Sequence, residues 1–466
     1  MLQNITVFER DSVPIAVAKL AIPTVASMIV TVFYNVVDTF FVGQLGDPNQ
    51  VAAVSIATPV FLFVMAAGNI FGIGGSSFIS RTLGEKKFDK AKHISSFCFY
   101  GGIITGIIAM IIFLLYMDPI LIASGASNNT IEYARQYFAV VAWGAPFVVL
   151  ATAYNNLIRG EGSAKTSMTG MMLGTVANII LDPIFILPEL KIGTVVIPLL
   201  NMGVTGAAIA TVLGNIISVI YFLAFIRSGK SILSLRPGDF RIGEGIFTGV
   251  IAIGLPASLN NVLMSLSNIM MNKMLVQYGD IAVASMGIAM KANMLVVFIQ
   301  LGLAAGIQPL TGYNYGAKNY TRMKSVMKFA MVCNVIIGTI LTVVYILYAN
   351  RIVSLFIANK EVIDTGTMIL RALMVSNPIL GVMFTFTFTF QAMGKAVQSL
   401  ILSISRQGFV FIPMLFIGRA LAGLNGIVYA QPVADLVSIC MSVWMFLVMN
   451  KNFSTQDNQS PDTYTM

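Results

Sequence analysis

Long apolar stretches recur along the whole chain and are separated by short polar turns. A membrane-spanning helix needs about 20 mainly apolar residues, whereas a barrel strand shows about 10 residues of alternating polarity. The stretches have the length of a membrane-spanning helix. In hydrocarbon, a single segment can hydrogen-bond all of its own backbone N–H and C=O groups only as a helix. We predict twelve spans, at residues 13–42, 51–77, 94–116, 131–156, 165–188, 203–227, 246–276, 281–307, 326–349, 365–389, 396–418 and 424–449.

The amino-acid composition agrees with a protein embedded in lipid. Of the 466 residues, 57% are hydrophobic and only 10% are charged, whereas about a quarter of the residues in a soluble protein are charged. An ordinary soluble protein is therefore excluded. The formal net charge of +9 would suit nucleic-acid binding, but the basic residues lie in the loops between spans, where they set membrane topology. We expect no nucleic-acid partner.

Alternate loops carry most of the basic residues, which decides the direction of the spans. Because cytoplasmic loops are enriched in Lys and Arg, and because the number of spans is even, both termini are predicted to be cytoplasmic. We expect a monomeric, multi-pass protein of the cell (plasma) membrane. The expected location is the inner membrane of a bacterium. The basic loops hold Arg81, Lys86, Lys87, Lys90, Lys92, Arg159, Lys165, Arg227, Lys230, Arg236, Arg241, Lys318, Arg322, Lys324, Lys328 and Lys395, and the opposite loops hold Lys191, Arg351, Lys360 and Arg419.

The second half of the sequence repeats the first. A shift of 232 or 233 residues places Pro23 on Pro256 and Gly74 on Gly306, whereas the last helix of each half requires a shift of 220. The smaller shift means that the first half holds about 12 extra residues before its last helix, in the outer loop PELKIGTVVIP. The alternating apolar pattern of this loop permits a short hairpin. A parallel repeat of this kind is common in carriers.

The repeat predicts the domain organisation. We expect an all-α membrane protein with twelve transmembrane helices in two pseudo-symmetric six-helix lobes. The predicted divisions are an N-lobe at 1–227, a cytoplasmic linker at 228–245, a C-lobe at 246–450 and a cytoplasmic tail at 451–466.

Apart from Glu132 at the very start of its span, two acidic residues lie inside the predicted spans of the first half, where a charge requires a partner or a cavity. Asp38 and Asp182 lie at similar depth, counted at about 1.5 Å per residue from the cytoplasmic ends. Asn178 shares a helix face with Asp182, and Tyr34 and Asn35 share a face with Asp38. These groups suit a proton or Na⁺, which two neighbouring carboxylates would share. The alternative is a structural pair of carboxylates that only joins helices.

The second half lacks this carboxylate cluster and carries other polar features. Arg406 and Asp435 flank a tight outer hairpin symmetrically, so we expect a structural ion pair. Methionines crowd spans seven and eight, where flexible thioethers suit an adaptable ligand surface; lipid-facing packing is the other interpretation. The candidate substrate cavity consists of Asn35, Met264, Asn268, Met271, Met290 and Met294.

Enzyme and metal motifs are missing from the sequence. There is no GxxxxGK[ST] phosphate loop, no HExxH and no serine elbow, and the single His93 and three isolated cysteines offer no metal-binding spacing. We expect no enzymatic activity, no catalytic residue, no bound metal and no cofactor. Any active transport would draw on a gradient of H⁺ or Na⁺.

Five segments together resemble the multidrug and toxic compound extrusion (MATE) transporters, in particular their bacterial MepA-like branch. The segments are YNVVDTFFVGQLG, GNIFGIGGSSFISRTLGEKKFDKAK, IRGEGSAKTSM, ANIILDPIFI and NMGVTGAAIATVLGN. The resemblance implies two rocking six-helix lobes that export cationic or amphiphilic drugs in exchange for H⁺ or Na⁺. It also implies a cation site formed by Asp38, Asn156, Asn178, Asp182 and Thr211.

Some MATE branches also carry acidic residues in helices seven and ten. The corresponding helices of the present chain contain no such acid, so we expect no acid-based mechanism in its C-lobe. The alternatives to a drug exporter are a lipid-linked oligosaccharide flippase and a channel. A flippase cavity should be rich in Arg and Lys to hold an anionic headgroup, but here cations deep in the membrane are few. Two rigid lobes with one buried acid pair fit a carrier that works by alternating access better than they fit a channel.

Overall fold

The computed structural model describes residues 2–45, 47–192 and 195–457, and nearly all of them are helical. The first half contains α1 (Leu2–Glu9), α2 (Val13–Gly43), α3 (Pro48–Gly84), α4 (Phe88–Leu115), α5 (Met117–Ala123), α6 (Ile131–Gly160), α7 (Ala164–Ile186) and α8 (Gly203–Arg227). The second half contains α9 (Ile246–Leu275), α10 (Asp280–Gly316), α11 (Tyr320–Ser354), α12 (Lys360–Met374), α13 (Asn377–Ala392), α14 (Ala396–Ile404) and α15 (Phe411–Asp457).

The twelve membrane-spanning helices predicted from the sequence are confirmed, with two irregularities. The tenth predicted span is two helices, α12 and α13, bent by 49°, because Pro378 in the first turn of α13 cannot continue the preceding helix. The eleventh span contains a π-helical turn at Ser405–Phe409. The chain then reverses at Gly423, whose φ of 58° is left-handed, so α15 has a first arm before Gly423 and a second arm after it.

The outer loop of the first half forms the hairpin that its alternating pattern permitted. Strand β1 (Glu189–Ile192) pairs antiparallel with β2 (Val195–Pro198), and Glu189 lies opposite Pro198. Residues 458–466 of the predicted tail lie outside the described residues, whereas α15 itself continues to Asp457.

The helices group into two compact units that interleave along the chain. The first unit holds residues 2–5, Ala26–Thr82 and Lys87–Val262, and the second holds Thr6–Val25, Leu83–Lys86 and residues 263–457. These units are defined by contacts between residues, whereas the predicted lobes are defined by the sequence repeat. The lobe boundaries at 227/228 and 245/246 therefore remain a prediction.

Close helix contacts inside each unit follow the sequence repeat. In the first unit, a Cβ at Gly254 would lie 1.9 Å from the carbonyl oxygen of Ile70. In the second unit, a Cβ at Gly306 would lie 2.5 Å from Cα of Ala21. Gly254 and Ala21 occupy equivalent repeat positions, and so do Gly74 and Gly306. Small residues therefore let the same two helix surfaces approach closely in both halves.

The predicted cytoplasmic linker packs against the first turns of α4, in the first unit. The hydroxyls of Ser95, Ser96 and Tyr100 donate to linker carbonyls at 3.0–3.2 Å. His93 Nδ1 lies 2.8 Å from the carbonyl oxygen of Asp239. These contacts satisfy backbone groups that a buried connection would otherwise leave unpaired.

Glu161, in the turn after α6, fastens the beginning of the linker. Its Oε2 accepts hydrogen bonds from Ser231 Oγ at 2.7 Å and from the amide of Ile232 at 2.9 Å. The residue is 0% exposed, and this burial raises the pKa of Glu161 to about 7. Burial disfavours the carboxylate, so the docked linker is more stable with the acid protonated.

We predict that Glu161→Gln removes a pH dependence of stability. A folded-state pKa above the unfolded value makes stability greatest at low pH and lowers it as the pH rises to about 7. The native protein should therefore lose about 2 kcal/mol between pH 5 and pH 8, whereas the neutral glutamine should not. The measurement is thermal unfolding in detergent across this pH range, combined with proteolysis of the linker. The exposed Glu244→Gln is the matched control, and an unchanged pH dependence in Glu161→Gln would refute the assignment.

Candidate functional site

A buried acidic cluster lies in the first unit, where α2, α6, α7 and α8 contribute side chains. Asp182 on α7 is 0% exposed, and Asn178 Nδ2 donates to its Oδ1 at 3.3 Å. Asp38 on α2 lies within electrostatic range of Asp182. The two carboxylates that the sequence singled out therefore share one region of the protein.

Two tyrosines complete this acidic cluster. Tyr34 Oη lies 3.4 Å from Thr211 Oγ1, which links α2 to α8. Tyr137 on α6 is buried and interacts electrostatically with both Asp38 and Asp182. Tyr137 is absent from the sequence-based set, because a tyrosine in an apolar span looks the same whether it faces lipid, the core or a site.

The oxygen atoms of the acidic cluster outnumber its donors. Asp182 Oδ2 and Asn178 Oδ1 are buried and have no hydrogen-bond partner among the described residues. Buried polar atoms are normally paired, because desolvation without a partner is costly. An open carboxylate oxygen and an open amide oxygen, with a second carboxylate nearby, suit a proton or a hard monovalent cation with oxygen ligands.

Asn156 does not join this cluster, which corrects the site expected from the resemblance. Its Nδ2 donates to the carbonyl of Thr152 at 2.9 Å, and its Oδ1 accepts from Arg159 Nη2 at 2.5 Å. Asn156 lies in the last turns of α6, whereas Asp182 lies about 18 residues beyond the start of α7. At about 1.5 Å per residue the two lie at different depths.

The candidate substrate-cavity residues have different environments. Met271 is 5% exposed and lies in the hydrophobic core of the second unit, with Met290 packed against that core. Met271 is thus a core residue, which neither faces lipid, as the alternative interpretation of the methionines had it, nor lines an open cavity. Met264 is exposed, and Met294 and Asn268 are half-buried.

Asn35 belongs to the first unit. Its side chain is exposed and donates to the carbonyl of Thr31 at 2.8 Å on the same helix. A role in substrate binding stays a prediction for Asn35, as it does for Met264, Asn268 and Met294.

The second unit contains a buried ion pair that the symmetric hairpin predicted. Arg406 Nε donates to Asp435 Oδ1 at 2.8 Å. Asp435 also accepts from Ser376 Oγ at 2.8 Å and from Gln431 Nε2 at 2.9 Å. The Arg406 guanidinium lies 5.1 Å from the ring centroid of Phe384. Asp435 is thus fully paired, whereas Asp182 keeps an unpaired oxygen.

Comparison with known proteins identifies relatives along nearly the whole chain. The MatE family model matches residues 23–184 and 256–417, one match in each half of the repeat. The chain is 32% identical over 441 residues to the multidrug export protein MepA of Staphylococcus aureus (strain MSSA476), covering 95% of this chain and 94% of the relative. It is 31% identical to the MepA of Staphylococcus saprophyticus over the same coverage.

Solved structures share the fold. A MATE crystal structure in the straight conformation has a TM-score of 0.88 at 26% identity, over 98% of this chain and 99% of that one. An outward-facing multidrug resistance MATE family transporter of the MOP superfamily has a TM-score of 0.87 at 27% identity over the same coverage. These relatives are transporters rather than enzymes.

We predict that the Arg406 and Asp435 substitutions are coupled. Arg406→Met alone leaves the Asp435 carboxylate buried without its cation, which should cost about 3 kcal/mol. The double variant Arg406→Met, Asp435→Leu should lose less stability than the sum of the single changes. Thermal unfolding of the four proteins in detergent gives the coupling. Additive losses would mean that the pair contributes nothing as a pair.

Proposed function

Since the chain belongs to the MatE family, we propose that it is a secondary active antiporter that exports cationic or amphiphilic drugs and toxic organic compounds in exchange for H⁺ or Na⁺. The multidrug export named for its MepA relatives supports the substrate class. The acidic cluster supports the coupling, because it offers two carboxylates, one with an unpaired oxygen, and the unpaired amide oxygen of Asn178.

The coupling ion would bind in the first unit. Asp38 and Asp182 would hold it or share one proton, with Asn178 supplying a neutral oxygen. Tyr34 and Thr211 would connect its occupancy to α2 and α8. When the charge is neutralised, α7 must repack, because the carboxylates no longer repel each other and no longer require a cation. That repacking would link ion binding to substrate release.

Transport would follow alternating access of the two predicted lobes. A parallel repeat provides two bundles of similar packing, and the buried pair of Arg406 and Asp435 joins helices within the second unit. We infer a monomer in the plasma membrane, and the distribution of its basic loops supports cytoplasmic termini. No cofactor other than the transported ion is required.

The main alternative is a flippase for lipid-linked oligosaccharides. Such a substrate carries an anionic headgroup and requires basic side chains around its path. The buried cluster described above is acidic, which favours a cation over an anion.

We predict that Asp182→Asn abolishes gradient-driven efflux. Asparagine keeps the shape and can hydrogen-bond to Asn178, but it cannot hold and release a cation. Proteoliposomes loaded with ethidium, a fluorescent organic cation, measure export under imposed pH and Na⁺ gradients applied separately. Asp280→Asn, an exposed acid at the start of α10, is the matched control. Efflux at the native rate in correctly inserted Asp182→Asn protein would exclude Asp182 from coupling, and no ethidium export by the native protein would contradict the proposed function.

A second prediction concerns the linkage between ion and substrate. Asp38→Asn should still bind substrate weakly but should lose the dependence of substrate affinity on pH or Na⁺, because coupling between two ligands is reciprocal. Ethidium affinity is measured in detergent across pH at fixed Na⁺ and across Na⁺ at fixed pH. If the native protein shows an ion dependence that Asp38→Asn keeps, the alternative holds and Asp38 only joins helices.

A further inference from the structure

Helix α12 presents a polar stripe away from the core of the second unit. Asp364, Met368, Arg371 and Val375 recur at every third or fourth position and are all exposed. The opposite face of α12 is buried, with Ile369, Leu370 and other residues in the core. This stripe is unusual in the second unit, since an acid and a base share it with apolar side chains.

The stripe forms the floor of a cavity of about 650 Å³ whose walls come from neighbouring helices of the same unit. Asn350, near the end of α11, forms one wall, and Tyr429, near the start of the second arm of α15, forms the other. The volume falls within the usual range for sites that bind small molecules, about 300–1,000 Å³.

The cavity opens onto the side of the membrane opposite the basic loops. The turn between α10 and α11 carries Lys318 and is followed by Arg322, and α11 crosses the membrane once. The turn before α12 is therefore on the other side, and the positive-inside rule makes that side the outer one. Asn350 lies four residues before the end of α11, which is interfacial depth.

Below the cavity, both walls become apolar. On α11, Leu347 is 70% exposed, and Val343 and Ile340 continue the same face toward the cytoplasm. On α15, Val433 and Val437 are exposed below Tyr429. A surface that is apolar over several turns on neighbouring helices faces acyl chains, so the cavity forms the polar head of a lipid-facing groove.

The polar groups in the cavity are incompletely paired. Among the described residues, Asp364 has no ion-pair or hydrogen-bond partner. Thr367 is 8% exposed, and its Oγ1 is buried without a partner. Arg371 donates from Nε to the carbonyl of Ile346 at 3.3 Å, which holds the guanidinium at the groove. An acceptor, a hydroxyl and a cation thus stand ready for a ligand.

We propose that this groove binds the headgroup of an outer-leaflet zwitterionic phospholipid, phosphatidylethanolamine. In such a lipid the phosphate lies closer to the acyl chains, and the ammonium lies further toward the water. Arg371 lies two turns deeper along α12 than Asp364, so the guanidinium meets the phosphate and the carboxylate meets the ammonium. Thr367 Oγ1 donates to a phosphate oxygen. The acyl chains follow the apolar walls.

The order of charges distinguishes this ligand from others. An anionic phosphatidylglycerol headgroup would satisfy Arg371 but would bring no cation to Asp364. A free anion would leave the apolar walls without a role, and a cationic drug would leave Arg371 beside a like charge. Only a zwitterion with its phosphate toward the hydrocarbon matches both charged residues and the walls.

Native mass spectrometry of the detergent-purified full chain tests the proposal, with dioleoyl phosphatidylethanolamine and dioleoyl phosphatidylglycerol titrated separately. The native protein should retain phosphatidylethanolamine preferentially. Arg371→Ala should weaken binding of both lipids by about tenfold, as expected for loss of a charge-assisted hydrogen bond. Asp364→Asn should remove the preference between the two lipids while leaving phosphatidylglycerol binding intact.

Matched variants separate this groove from general lipid attraction. Arg351→Ala removes an exposed cation at the same end of α11, outside the cavity lining, and should leave both affinities unchanged. Thr367→Val keeps the shape and should weaken phosphatidylethanolamine binding without lowering the unfolding temperature. An equal effect of Arg351→Ala and Arg371→Ala, an unchanged preference in Asp364→Asn, or displacement of the lipid by ethidium would overturn the proposal.

Discussion

A carboxylate removed from water inside a membrane must be paired or protonated, or must hold a cation, and the two units meet this requirement differently. Asp435 is 2% exposed and accepts hydrogen bonds from Arg406, Ser376 and Gln431. Asp182 is equally buried, yet among the residues that the structure describes only Asn178 donates to it. A paired carboxylate is static, because separating it from its cation is costly. An incompletely paired one can accept a proton or a cation, and this difference is the physical basis for the ion exchange proposed for the first unit.

The same constraint explains how two similar halves have acquired different roles. The repeat preserves the helix contacts, as the equivalent approaches at Gly254 and Gly306 demonstrate. It does not preserve the charges. A helix contact depends on small residues at a few positions, so it tolerates polar changes elsewhere on the same helices. The second half can therefore lack the carboxylate pair of the first half and still share its packing.

Much of the fold follows from the sequence, because the bilayer permits few alternatives. The spans, the hairpin and the pairing of Arg406 with Asp435 rest on hydrophobic length, alternation and equal distance from a turn, and each depends on local sequence. The bend between α12 and α13 was missed, because Pro378 lies in an apolar run that reads as continuous. Tyr137 and the docking of the linker on Glu161 depend on contacts between residues far apart in sequence, which no single-sequence pattern encodes. The position of Asn156 was wrong because a motif was carried over without its helix register.

The packing of the amino-terminal segment has a consequence for biosynthesis. Phe8 stacks on Tyr313 with ring centroids 4.8 Å apart, and Tyr313 Oη donates to Glu9, which is 304 residues earlier in the chain. At about 5–20 residues per second, the ribosome needs tens of seconds to synthesise the partner of a segment that it made first. During that interval the beginning of α2 is in the membrane without its final neighbour, Gly306. The second unit therefore cannot assemble in the order in which its residues are synthesised. Its segment Thr6–Val25 lacks its partner, and is accessible to chaperones and proteases, until α10 has been inserted.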